Sequence, residues 1–172
     1  MNLFQTLLRL PTRQLCLMLF AVCAGLLAYG LYLQHVVGLE PCPMCIMQRY
    51  AFVGVALLAL VAGLHAPGRT GQRIYLAGIG ALALTGGGVA ARQSWIQRNP
   101  PDIPECGPDL AFMLDAFPLA QALPMIFSGS GDCASIDWTF LGLTIANWSL
   151  LCFSAVVVFA VWLLWRRVPK AG

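Results

Sequence analysis

Charge is what this sequence has least of. Of its 172 residues only 10% are charged, against 59% hydrophobic, where a soluble globule carries about a quarter charged residues. That shortage excludes an ordinary water-soluble domain. The basic residues stand in ones and twos near the ends of apolar runs, so no basic stripe tracks a nucleic-acid backbone and no nucleic-acid partner is expected. The apolar runs also lack an ionisable pair deep within them, which leaves an ion-coupled transporter without coupling groups. A cleavage signal is missing as well. Ala24 and Gly25 are small, yet Leu26–Leu33 continues the apolar run beyond them, so the first segment reads as a retained span rather than a signal peptide.

Long uncharged stretches fill the space that charge leaves. Leu15–Leu33, Ile74–Ala91 and Trp138–Trp165 carry no charge, and Tyr50–Leu64 reaches spanning length if its helix begins near Cys45 with Arg49 at the outer end. A bilayer core of about 30 Å asks for about 20 helical residues. The expected fold is an all-α membrane protein, an antiparallel four-helix transmembrane bundle. It forms a single domain over 1–172 with spans near 15–33, 46–64, 74–91 and 146–165. Glycines at 25, 54, 63, 78 and 86–88 are candidates for close helix contacts.

Sidedness follows from where the charges sit. Arg9, Arg13, Arg69, Arg73, Arg166, Arg167 and Lys170 fall on one face with no acid among them. All acidic residues fall on the other face: Glu40, then Asp102, Glu105, Asp109, Asp115, Asp132 and Asp137. The basic face is cytoplasmic by the positive-inside rule. This places both termini and the loop 65–73 inside, and loops 34–45 and 92–145 outside. The second outer loop is broken by prolines at 100, 101, 104 and 108. Its apolar patch Asp115–Phe127 reads either as a short helix on the membrane surface or as a core for the loop itself.

Topology also sorts the seven cysteines. Cys16, Cys23 and Cys152 lie in the spans, where a thiol is a small apolar packing group. The other four lie in the outer loops, an even number in an oxidising compartment. Cys42-Pro43-Met44-Cys45 brings two sulfurs close enough to cycle between dithiol and disulfide. At a helix N-terminus, with Arg49 one turn on, the Cys45 thiolate would be favoured. Cys106 and Cys133 could form a structural bridge that restricts the unfolded chain or a shuttle that exchanges with the first pair. A zinc site drawing on all four is a third arrangement.

The segments Gln34-His35-Val36, Pro41-Cys42-Pro43-Met44-Cys45-Ile46-Met47-Gln48-Arg49, Ser130-Gly131-Asp132-Cys133, Asp137-Trp138, Phe140-Leu141-Gly142-Leu143 and Trp148 carry a resemblance. Together with four spans and paired outer cysteines, they resemble the bacterial disulfide bond formation protein B family. The resemblance implies a multi-pass enzyme of the inner membrane, a protein-dithiol:quinone oxidoreductase. Such an enzyme oxidises a soluble periplasmic thioredoxin-like thiol oxidase and passes two electrons to a membrane quinone, ubiquinone or menaquinone.

Residue by residue, the resemblance makes Cys106 and Cys133 the pair serving the soluble partner, with Cys106 forming the mixed disulfide. Cys42 and Cys45 become the pair serving quinone, with Cys45 the thiolate nearest the ring and Arg49 at the quinone site. One segment departs from the pattern. Across Arg92–Arg98, Arg98 roughly takes the place of a family histidine near the quinone, while His35 reads as an interfacial histidine. A vitamin-K-epoxide-reductase-like thiol:quinone oxidoreductase, or a non-catalytic disulfide-stapled membrane scaffold, is the alternative.

Overall fold

In the computed structural model, residues 10–100, 131–136 and 138–166 are described. Cys106 and the apolar patch Asp115–Phe127 lie outside the described residues. Four long helices carry the architecture: α1 (Thr12–His35), α2 (Pro43–His65), α3 (Arg69–Arg98) and α5 (Ile145–Trp165). Each is long and apolar enough to cross a membrane. A single short turn, α4 (Gly131–Ala134), and a hairpin of β1 (Thr139–Phe140) and β2 (Leu143–Thr144) precede α5. The hairpin is a small addition to the all-α expectation. Its two turn residues, Leu141 and Gly142, both have positive φ (52° and 77°), the backbone that a two-residue hairpin turn requires.

Local chemistry sets the helix ends. Cys42 is the N-cap of α2, its sulfur accepting from the Cys45 backbone N–H, and Pro43 stands in the first turn, where its missing N–H costs nothing. Thr144 caps α5, its hydroxyl accepting from the Asn147 N–H. Ala66 (φ 43°) closes α2 in the left-handed region, just before Pro67. The third helix continues past Ala91 to Arg98, so the first residues of the expected outer loop 92–145 are helical. Nothing in Arg92–Arg98 breaks a helix, whereas Asn99-Pro100 stops it.

Helices α1 and α2, α2 and α3, and α3 and α5 pack side by side, and the short links 36–42 and 66–68 make the first three spans successively antiparallel. Large apolar side chains such as Leu57, Leu84 and Val158 point outward, as expected where the surroundings are lipid rather than water. The mid-bundle core centres on Phe52 and Phe153, whose rings stack at 4.0 Å. Gly86 makes that stack possible, since a Cβ there would lie 2.6 Å from Phe153 Cε1. Gly63 admits Leu17 in the same way. Gly25 and Gly88, by contrast, face open space and set no close contact. At the inner end Arg166 Nη1 donates to the Leu10 carbonyl at 3.1 Å and its guanidinium lies over Trp162, tying α5 to the start of α1.

Candidate functional site

The outer end of the bundle is organised differently. The N-cap geometry of α2 turns both cysteine sulfurs of the first pair to the same side. Cys42 Sγ and Cys45 Sγ lie 2.9 Å apart as free thiols, the Cys42 S–H donating toward Cys45. Cys133, on α4, is buried and packs in one cluster with Cys42, Met44, Val89 and Ile96. Its thiol hydrogen-bonds with Cys42. Three of the four cysteines singled out from the sequence are therefore in one group.

Electrostatics divides the first pair. The Cys42 thiol is held protonated, far above the ordinary thiol range, first by its hydrogen bond with Cys133, then by that with Cys45, then by burial. Cys45 lies three residues into the helix, where backbone N–H groups and the positive end of the helix dipole favour an anion. A protonated Cys42 that donates to Cys45 leaves Cys45 as the natural thiolate of the two.

A cavity of about 480 Å³ opens beside these sulfurs. Its walls come from α1 (Leu26, Tyr29, Leu33), α2 (Cys45, Arg49, Phe52), the outer end of α3 (Gln93, Gln97) and α5 (Trp148, Cys152), with Cys42 at its edge. A chain of rings closes its outer side: Tyr29 meets Trp138 at 6.3 Å, Trp138 meets Phe140 at 6.0 Å, and Phe140 meets Trp148 at 6.0 Å. Trp148 Nε1 also donates to the Phe140 carbonyl at 3.1 Å, fixing the hairpin against α5. Such aromatic side chains suit the level where a membrane meets water. A mainly apolar cavity with a few convergent polar groups is the usual form of a small-molecule site. Aromatic and aliphatic walls with Arg49 among them could hold a flat ring that carries polar oxygens, as a quinone headgroup does.

Arg49 stands on the cavity wall, but its guanidinium reaches across to α1. It donates to Gln34 Oε1 and to the Gly30 carbonyl at 3.1 Å. The charge is thereby fixed in place rather than left to swing. Arg98 does not take the place that the sequence suggested for it. It is exposed at the last position of α3 and is not among the cavity-lining residues, because the helix turns positions 93 and 97 inward instead. His35 is likewise exposed at the end of α1 and outside the cavity lining.

Sequence reasoning missed two glutamines. Gln93 Nε2 donates to Cys42 Sγ at 3.3 Å and to Cys45 Sγ at 3.2 Å, and Gln48 Nε2 donates to Gln93 Oε1 at 2.6 Å. Gln48 follows Cys45 by three residues and so shares its helix face, which was a signal available in the sequence. One turn beyond Gln93, Gln97 Nε2 donates to the Ser135 carbonyl at 3.4 Å and Gln97 Oε1 accepts from the Thr144 hydroxyl at 2.7 Å. The outer turns of α3 thus hold both the first cysteine pair and the segment that carries Cys133.

Known proteins match the chain over most of its length. The family model described as disulfide bond formation protein DsbB matches residues 12–163. A relative named disulfide bond formation protein B, from Aromatoleum aromaticum, is 69% identical over 156 residues, covering 91% of this chain and 94% of the relative. Relatives of the same name from Azoarcus sp. and Polaromonas sp. are 63% identical over 155 residues and 54% over 160. They cover 90% and 91% of this chain, and 93% and 92% of their own lengths.

Proposed function

Because the chain belongs to the disulfide bond formation protein B family, we propose that its outer sulfurs form a two-pair relay from a soluble dithiol protein to a membrane quinone. The chain is a multi-pass inner-membrane enzyme that forms disulfides and couples thiol oxidation to quinone reduction. The observation that carries the relay is the contact of Cys133 with Cys42, beside Cys45, on the wall of an apolar cavity.

The cycle begins with both pairs oxidised. A thiolate of a periplasmic thioredoxin-like partner attacks Cys106, joins it in a mixed disulfide and releases Cys133 as a thiolate. Cys133 then attacks Cys42 in the Cys42–Cys45 bond, and Cys45 leaves as a thiolate; the packing of Cys133 on Cys42 supports this second exchange. The partner's other thiol resolves its mixed disulfide, and the freed Cys106 re-forms its bond with Cys133. This releases Cys42. Each exchange breaks one S–S bond and makes one, so two electrons move inward without loss.

The first pair is left as Cys42 thiol and Cys45 thiolate, next to the cavity. Bound quinone supplies the terminal electron sink there. The chain's own residues do the rest. Arg49, held by Gln34 and Gly30, offers a fixed positive charge for a ring oxygen as negative charge develops. Phe52, Trp148 and Leu33 line the cavity and would keep water from a bound ring. Ubiquinone and menaquinone share the headgroup chemistry that these walls accept.

The test is stoichiometric. Purified protein, supplied with quinone and a reduced periplasmic thioredoxin-like protein, is expected to form one quinol per disulfide made. A protein that keeps its fold and forms no quinol is a stapled scaffold, and the relay is then wrong.

A further inference from the structure

Two buried glutamines stand in line behind the reactive sulfurs, Gln93 touching both and Gln48 touching Gln93, and neither takes part in the exchange of disulfides. A buried primary amide is costly unless its donors and acceptor are used, so its presence at the apolar end of a bundle needs a reason. Gln93 and Gln48 are each only 3% exposed. Gln48 Nε2 donates to Gln93 Oε1 at 2.6 Å, which sets the two amides in one consistent direction. The Gln93 oxygen faces Gln48, and its NH₂ group faces the sulfurs at 3.2 and 3.3 Å. An NH₂ group has two hydrogens, one for each sulfur.

We propose that Gln93 is a catalytic residue of the thiol-to-quinone step, its amide hydrogens holding the Cys45 thiolate and the Cys42 thiol side by side while the bond between them closes. Gln48 is the positioning residue that sets the direction of that amide. This rests on the reading of Cys42 and Cys45 as the quinone-facing pair. Closing the pair turns one S–H and one S⁻ into an S–S bond. Two electrons pass to quinone, and the proton from Cys42 together with one from solvent completes the quinol.

A neutral amide suits this task. A hydrogen bond donated to sulfur favours its anion, and an amide neither gains nor loses a proton over the working pH range. Arg49, the cation on the same cavity, is already engaged with Gln34 and Gly30. The other titratable groups around the cavity and cysteine cluster are Tyr29 on α1, Glu40 in the α1–α2 link, Cys133 on α4 and Cys152 on α5. From α3, the group touching the sulfurs is Gln93 itself.

The experiment uses the full-length protein in detergent, with dithiothreitol as reductant and a short-chain ubiquinone as acceptor. In Gln93→Leu, kcat is expected to fall about tenfold or more while KM for quinone stays within about twofold, as loss of a hydrogen bond to a charged group implies. The pH at which Cys45 is alkylated at half its maximal rate, read by mass spectrometry of its peptide, should rise by about one unit. Gln93→His restores an N–H donor and should recover part of kcat. Gln93→Glu, of the same size, should lose rate progressively as pH rises, because a carboxylate then faces the thiolate. Gln48→Leu should show the same signature as Gln93→Leu at smaller amplitude.

An unchanged alkylation midpoint in Gln93→Leu, or an effect confined to KM, overturns the proposal. If that variant does not fold, Gln93→Glu decides, and a wild-type pH profile for it is equally fatal. Cys45→Ser separates the two readings. Turnover in Cys45→Ser defeats the relay itself, whereas a dead Cys45→Ser beside a wild-type Gln93→Leu defeats the glutamine alone.

Discussion

The middle of the bundle and its outer end are built from the same four helices but for opposite purposes. In the middle, Phe52, Phe153, Val55, Ile79, Ala83 and Ala160 are almost fully buried, and Gly86 is small because the Phe153 ring takes the space a side chain would need. At the outer end the helices enclose a cavity of about 480 Å³, and polar side chains rather than packed methyl groups join its walls. Close packing gives the middle its stability. The outer end keeps room for a ligand and holds its reactive sulfurs by hydrogen bonds. Substitutions in the two regions should therefore fail differently, in stability for the middle and in turnover for the end.

The sharpest break comes from Cys45. Cys45→Ser removes the thiolate and should abolish quinol formation altogether, while the thermal melt in detergent stays close to that of the parent protein. A large fall in melting temperature would mean that the outer end carries stability after all. Arg49→Met comes next. It deletes a charge bonded to Gln34 and Gly30 on the cavity wall. A hydrogen bond from a charged group to the developing oxyanion is worth about 1.5–3 kcal/mol, so kcat/KM for quinone should fall about ten- to a hundredfold. Arg49→Lys should recover little, because an ammonium cannot match the guanidinium's fixed fork across both acceptors. Steady-state kinetics against quinone concentration checks both.

For the middle, Gly86→Ala places a Cβ 2.6 Å from Phe153 Cε1. Overpacking of this kind costs about 1–3 kcal/mol, to be read from the denaturation midpoint in mixed micelles. Turnover per folded molecule should be retained. A Gly86→Ala protein with normal stability but reduced kcat would reverse the roles assigned to the two regions.

The same division explains what is legible in the sequence. The spans are legible because lipid demands length and uniform apolarity, and both are local properties of sequence. The Cys42–Cys45 pair is legible because N-cap, proline and helix start stand within four residues of one another. The outer turns of α3 are not. Hydropathy stops at Arg92, so residues 92–98 read as loop, and Arg98 stands out as a charged member of that segment. Once those residues are helical, a fixed turn angle brings Gln93 and Gln97 to the inner face and leaves Arg98 outside. The contact between Cys133 and Cys42 is tertiary and long-range, and no periodicity encodes it. Among the glycines, composition alone does not separate Gly86, which is pressed by a ring, from Gly25 and Gly88, which touch nothing within 4 Å.

The smallest expected effect tests whether the two regions meet. Thr144 belongs to both, since its hydroxyl caps α5 through the Asn147 N–H at 3.4 Å and donates to Gln97 Oε1 at 2.7 Å. Gln97 in turn donates to the carbonyl of Ser135, two residues after Cys133. Thr144→Val keeps the shape and removes both bonds. Loss of an N-cap costs about 1 kcal/mol, and that much stability should disappear. If the outer network also positions Cys133, the rate of thiol exchange between the two pairs should fall by about two- to fivefold, roughly the weight of one neutral hydrogen bond. Quinol formation from a directly reduced Cys42–Cys45 pair should not change. Rapid-quench trapping of the pairs, with and without the soluble partner, distinguishes these steps. A Thr144→Val protein that loses stability with both rates intact would show that its cap belongs to the bundle's architecture alone.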